Sequence, residues 1–320
     1  MKTASFRGIT AAAALCGLSA ISIPPAVMAH GFEGDRFFPP TISTDDPFAV
    51  DELSLPTISV FNNPAAPGAT KVREIDLGGE LDKEILPGWD LEFSDVFTVL
   101  QPKGGMTVDG FQNFDLGSKY ELYQNPEHEF IASVGVDWSI GGTGGRSIGA
   151  ESFSTVSPAL LLGKGFGDLP DSVPFLKPFA ITTDIAEDFP TEAGDSNALE
   201  WGFALEYSLV YLEDNVRDTG LPHPWRDMIP LVEFTPTSPE NRDGGVTTGT
   251  VNPGVLWENR YFQVGAEALI PMNSHSGHNV GFVFNVNIFF DDFWPKVFGH
   301  PLFGGSQTVA SSETGGTSAK

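Results

Sequence analysis

The chain has 320 residues, with 42 acidic against 17 basic side chains and a formal net charge of −25. Such a chain repels nucleic acid and attracts cations. Its one cysteine, Cys16, sits in an apolar leader, so a disulfide framework, a thiol nucleophile and thiolate zinc sites are excluded from the remainder.

Residues 1–29 read as a secretory signal: Lys2 and Arg7 open it, an Ala/Leu/Ile-rich stretch follows, and Val27-Met28-Ala29 places compact residues at a cleavage point. Cys16 follows Leu15 inside the apolar run, which rules it out as a lipid-attachment residue. Cleavage would remove Lys2 and Arg7 but no acid, leaving a mature chain of charge −27 that begins at His30. Beyond the signal no run approaches the ~18 apolar residues a membrane helix needs, so any crossing is made by strands.

Residues 30–56 are rich in Phe, Pro and Asp without alternation and read as an amino-terminal extension, outside a wall or tucked in its mouth. From 57 to 290 the dominant signal is alternation with period two, which sends successive side chains to opposite faces of a strand. In chain order the candidate strands are 57–61, 72–84, 91–100, 110–124, 130–140, 152–164, 174–187, 199–211, 228–236, 247–258, 262–270 and 280–290. The last is the clearest: Val280, Phe282, Phe284, Val286, Ile288 and Phe290 share one face, opposite Gly281, Asn285 and Asn287. Turn-rich pieces of two sizes separate the runs. Residues 295–320 form a tail, ending in a Ser/Thr/Gly stretch of disordered character.

This all-β pattern of about twelve strands fits a transmembrane antiparallel β-barrel, with residues 57–294 as its wall. The alternative is a soluble β-sandwich, which also gives period two. Two features favour the barrel. The apolar faces run for ten or more residues, longer than a typical soluble strand. Trp138, Trp201, Tyr211 and Tyr261 lie near strand ends, where an interfacial girdle would put them.

Several motifs carry a resemblance. The run Val286-Asn-Ile-Phe-Phe-Asp-Asp-Phe-Trp-Pro-Lys-Val-Phe-Gly-His-Pro-Leu-Phe-Gly304 resembles the carboxy-terminal signature of outer-membrane barrels of the phenol-degradation MetA-type, transporter-like family. Leu116-Gly-Ser-Lys-Tyr120, Pro158-Ala-Leu-Leu-Leu-Gly-Lys-Gly-Phe-Gly167, Lys177-Pro-Phe179 and Ile229-Pro-Leu-Val-Glu-Phe234 are similar to that group's strand motifs, in the same order. The resemblance implies a Gram-negative outer-membrane barrel moving small, often apolar, molecules, and it carries over no catalytic set. The Arg36-Phe-Phe-Pro-Pro-Thr41 and Asp45-Asp-Pro47 segment lies outside the pattern, as does the continuation past Phe290.

Parity puts Asp115, Lys119, Glu121, Asp137, Glu200, Glu206, Glu233 and Glu267 on the inward face as lumen candidates, with Glu74, Asp76, Glu80 and Asp82 beside them. Lining a lumen, these acids would favour cations. At twelve strands the interior is narrow or plugged. No nucleophile elbow, phosphate loop or His-Glu-x-x-His motif is present, so the chain is not expected to be an enzyme or to use a cofactor. Weak metal candidates are His30, whose amine and imidazole could chelate copper in a soluble periplasmic protein, and His275 with His278 in one hairpin. The expected function is a porin- or transporter-like barrel passing or binding small molecules or cations, with outer-membrane lipid and lipopolysaccharide around it. A non-transporting surface barrel is the alternative.

Overall fold

A computed structural model describes residues 31–63, 71–240 and 245–304. The signal, its cleavage point, His30 and residues 305–320 lie outside the described residues. Twelve antiparallel wall strands follow one another: β1 Glu52–Asn62, β2 Val72–Leu86, β3 Trp89–Pro102, β4 in two pieces (Val108–Phe111 and Phe114–Asn125), β5 Phe130–Ile140 and β6 Thr155–Gly165. Then come β7 Phe179–Pro190, β8 Ala198–Tyr207, β9 Met228–Pro239, β10 Thr248–Glu258, β11 Phe262–Pro271 and β12 Gly281–Phe289. Each strand pairs with its sequence neighbours, and β12 pairs back onto β1, with Phe284 opposite Ile58. The sheet is therefore a closed barrel without a free edge, and the sandwich alternative is excluded.

Alternation sorts the side chains as period two requires. Outside, Trp138, Trp201 and Phe282 stay 44%, 38% and 48% exposed, and Phe203 stacks on its cross-strand partner Phe234 at 4.4 Å between ring centroids. Inside, Ser133, Thr182, Gln263 and Asn287 are fully buried. An apolar outside around a polar inside is the inverse of a soluble domain and suits a wall set in lipid.

Three boundaries differ from the expectation by four residues or more, and one of them is the strand expected from residue 174, which starts only at Phe179 after a 3-10 turn over Pro174–Leu176. The wall begins at Glu52, not Thr57: Pro56 lacks an N–H for the ladder, the register with β2 shifts between Ser54 and Thr57, and that break hides the start of β1 from an alternation count. The strand expected to reach residue 211 stops at Tyr207, where the Ser208 hydroxyl accepts a hydrogen bond from Tyr211 N at 3.1 Å and caps the helical turn Leu209–Tyr211. Tyr211 is consequently buried and does not belong to an aromatic girdle.

With an even strand count, both ends of the wall emerge at one rim. That rim also carries three short connections, residues 87–88, 126–129 and 259–261, and two longer ones, 166–178 and 208–227. After β12 a helical turn, Phe290–Phe293, leads to residues 302 and 303, whose amides donate to the Glu84 and Ile85 carbonyls at the end of β2. The amino-terminal segment runs from this rim into the barrel and back. Its Phe38 and Phe48 pack on Ile131 and Ala180, while Phe37 and Ile42 pack against Ile229, Leu231 and Leu256. The apolar core of the molecule thus lies between this plug and the inner wall.

Candidate functional site: an acidic chamber beside an amino-terminal plug

The plug is held at its base by Arg36. A tight hairpin pairing Phe32 with Phe37 turns at Gly34, whose left-handed backbone (φ +65°) passes so close to the Pro126 carbonyl that a Cβ there would collide. Arg36 is 1% exposed. Its guanidinium donates to the Pro178 carbonyl at 2.9 Å and the Lys177 carbonyl at 2.5 Å, lies 3.4 Å from Glu129 Oε2, and sits 3.8 Å over the Tyr211 ring. Glu129 in turn accepts from the Tyr211 hydroxyl at 2.9 Å and Gly167 N at 3.0 Å. One cation therefore ties the plug to three rim connections. A planar five-donor group is the side chain suited to such a cluster of carbonyl, carboxylate and ring.

Deeper in, the tip is held by wall carboxylates. Glu233 accepts three successive backbone amides, Ile42, Ser43 and Thr44, at 2.7–2.8 Å. The Ser43 hydroxyl donates to Glu267 Oε2 at 2.9 Å, and Gln263 donates to the Pro40 carbonyl at 2.7 Å. On the returning limb the Ser133 hydroxyl donates to the Pro47 carbonyl, Ala49 N donates to Glu121 at 2.9 Å, and Lys83 bonds Asp51. A backbone without regular structure can be buried only if its polar groups are paired, and these inward residues pair them.

The plug leaves a chamber of about 480 Å³ lined chiefly by β1–β8. Eleven carboxylates line it: Asp45 and Asp46 from the plug tip, then Glu52, Glu80, Asp82, Asp90, Glu92, Asp115, Asp137, Asp184 and Glu200 from the wall. Among the described residues Lys119 is the one basic side chain in the lining, and it bridges plug and wall, 2.9 Å from Asp45 and 3.2 Å from Glu92. Ile42, Phe48 and Val50 of the plug and Val96 of the wall add apolar surface.

The lumen candidates therefore separate into two groups. Asp115, Lys119, Asp137 and Glu200 face the chamber. Glu121, Glu233 and Glu267 hold the plug, and Glu206 is buried with Oε1 free of any hydrogen bond among the described residues. Arg36 and the plug acids Asp45 and Asp46 were missed as site residues, because the segment carrying them has no periodicity to orient it. His275 and His278 are both exposed, and no group of three or more His, Cys, Asp or Glu side chains among the described residues is placed to hold a metal ion.

Closed, twelve-stranded, apolar outside and polar within, the chain has the architecture of a porin-like outer-membrane barrel. No family model matches it, and no curated protein matches its sequence. Solved structures do. An outer-membrane channel from Pseudomonas putida F1 superposes with a TM-score of 0.50 at 12% identity, over 78% of this chain and 99% of that one. The KdgM porin (TM-score 0.42, 11% identity, 74% and 98% covered) and the NanC porin (0.43, 10%, 73% and 98%) are also similar. At such identities the likeness to the Pseudomonas channel establishes the fold alone.

Proposed function

We propose that this protein is an exported, plugged barrel of a Gram-negative outer membrane that admits small solutes to an acidic chamber and favours cations over anions. The carrying observation is the lining itself, eleven carboxylates with one ammonium, inside low-dielectric walls that focus the field. The motifs that resemble those of the MetA-type transporter-like barrels support a transport role, and the outward aromatics support a wall in contact with lipid and lipopolysaccharide. We read the chain as a conduit or binding compartment rather than an enzyme. A barrel that merely serves the envelope surface is the second reading, favoured by the extent to which the plug fills the interior.

Proteoliposomes separate the two. Loaded with the full-length protein, they are expected to take up arginine several-fold faster than glutamate, molecules of similar size and opposite charge. Equal rates overturn the cation preference, and no flux of either favours the surface barrel.

A further inference from the structure

The acids of the chamber are ordered, and their order points to a ligand. Glu52, Asp82, Glu92, Gly117 and Asp137 are successive cross-strand partners around β1–β5, so they form one row across the wall. Cross-strand neighbours of like charge repel one another, and four acids in such a row destabilise the sheet unless they take up protons or a cation sits between them. At Gly117 the crowding is sharpest. The point where a Cβ would stand lies within 2.5 Å of both Glu92 Oε2 and Asp137 Oδ1, so the two carboxylates lean toward each other over the bare glycine.

A second observation is independent of the count of acids. Asp82 and Asp90 are 6% and 1% exposed, both line the chamber, and Asp82 Oδ1 and Asp90 Oδ2 accept no hydrogen bond among the described residues. Asp90 spends its other oxygen on Lys119 N at 2.9 Å, and the ammonium of Lys119 is already engaged by Asp45 and Glu92. Buried carboxylate oxygens without a donor are costly, and the cost is met by a proton or by a bound cation. A bare metal ion does not fit, since no three such groups converge closely enough to ligate one among the described residues. The acids are spread along the chamber instead, which Ile42, Phe48 and Val50 of the plug also line.

We propose that the chamber binds a linear organic polycation, a chain of short methylene runs carrying two or more ammonium or guanidinium groups. One cationic group pairs with the carboxylates of Asp82 and Asp90, and another lies over Gly117 between Glu92 and Asp137. The methylenes pass along Ile42, Phe48 and Val50. A volume of about 480 Å³ lies within the range of small-ligand sites. The proposal rests on the reading of the chamber as the compartment that receives solute, and it names the class of solute.

The test is calorimetric titration of the full-length protein in detergent at 150 mM NaCl, with spermidine, propylamine and magnesium as probes. Spermidine is expected to bind at least tenfold more tightly than either of the others. The paired substitution Asp82→Asn with Asp90→Asn should weaken it at least tenfold, whereas Asp195→Asn on the exposed connection 191–197 should leave it unchanged. Magnesium binding as tightly as spermidine would reduce the chamber to a general counter-ion cloud and overturn the proposal, as would an undiminished affinity in the paired variant. Should that variant not fold, the comparison of the three probes on the native chain decides alone. A barrel that prefers arginine to glutamate but ignores spermidine overturns only this inference. One that binds spermidine but passes neither amino acid overturns the conduit reading.

Discussion

Arg36 and Glu233 show how individual side chains decide what the interior becomes. Removing the guanidinium in Arg36→Ala leaves Glu129 buried against Tyr211 without its cation, and breaking such a pair costs about 3–5 kcal/mol. We expect the temperature at which the folded band is lost on unboiled gels to fall clearly, and the base of the plug to become accessible to protease. Arg36→Lys should recover little, because an ammonium cannot reach two carbonyls and a carboxylate in one plane. Glu233→Ala strips three amides of their acceptor at once, each left unsatisfied at about 1–3 kcal/mol if the tip stays buried, so the tip should leave the wall and single-channel current should grow noisier. Parity in the sequence placed both Glu233 and Glu200 on the inward face. It could not tell that one grips the plug and the other faces the chamber, because alternation fixes the side of a residue but neither its height nor its partner.

Strands were the most legible elements, and the reason is physical. A wall with lipid outside and a polar lumen inside imposes alternation on every strand, so β5, β8, β11 and β12 can be read directly. Where backbone rules intervene the reading slips, as at Pro56 in β1 and at the Ser208 cap beyond β8. The plug was legible only as a stretch lacking a period, since its conformation is set by contacts from Glu233, Gln263 and Glu121, all distant in sequence. Deleting residues 36–47 should therefore leave the wall assembled, increase conductance several-fold and lower thermal stability, because Phe37, Phe38 and Ile42 would no longer cover the inner wall.

The carboxy-terminal turn adds a pH-dependent element. Burial, with Asp51 and Glu84 nearby, pushes the Asp291 carboxyl up to about 8. A raised acid is held neutral in the folded state, so the turn is most stable in acid and loses that hold as pH climbs from about 4, the ordinary Asp value, to about 8. Hydrogen exchange of residues 290–303 should accordingly be more protected at pH 5 than at pH 8.5, after correction for intrinsic rates. Asp291→Asn should remove most of the difference, and an unchanged difference would assign it to Asp51 or Glu84.

At the scale of the whole molecule the charge is distributed with purpose. The chain carries −25 overall, and eleven of its acids face one chamber while apolar side chains face outward. A field of that sign acts on every ion that enters, whichever molecule is the natural solute, and it is screened as salt rises. The most direct test is the reversal potential of the protein in a planar bilayer under a tenfold KCl gradient, at low and high salt, with the native chain and with residues 36–47 removed. The account predicts a potential on the potassium side for both forms, larger at low salt, and reduced when Asp137 and Asp184 are changed to Asn. A potential near zero, one on the chloride side, or no current even without the plug would contradict it.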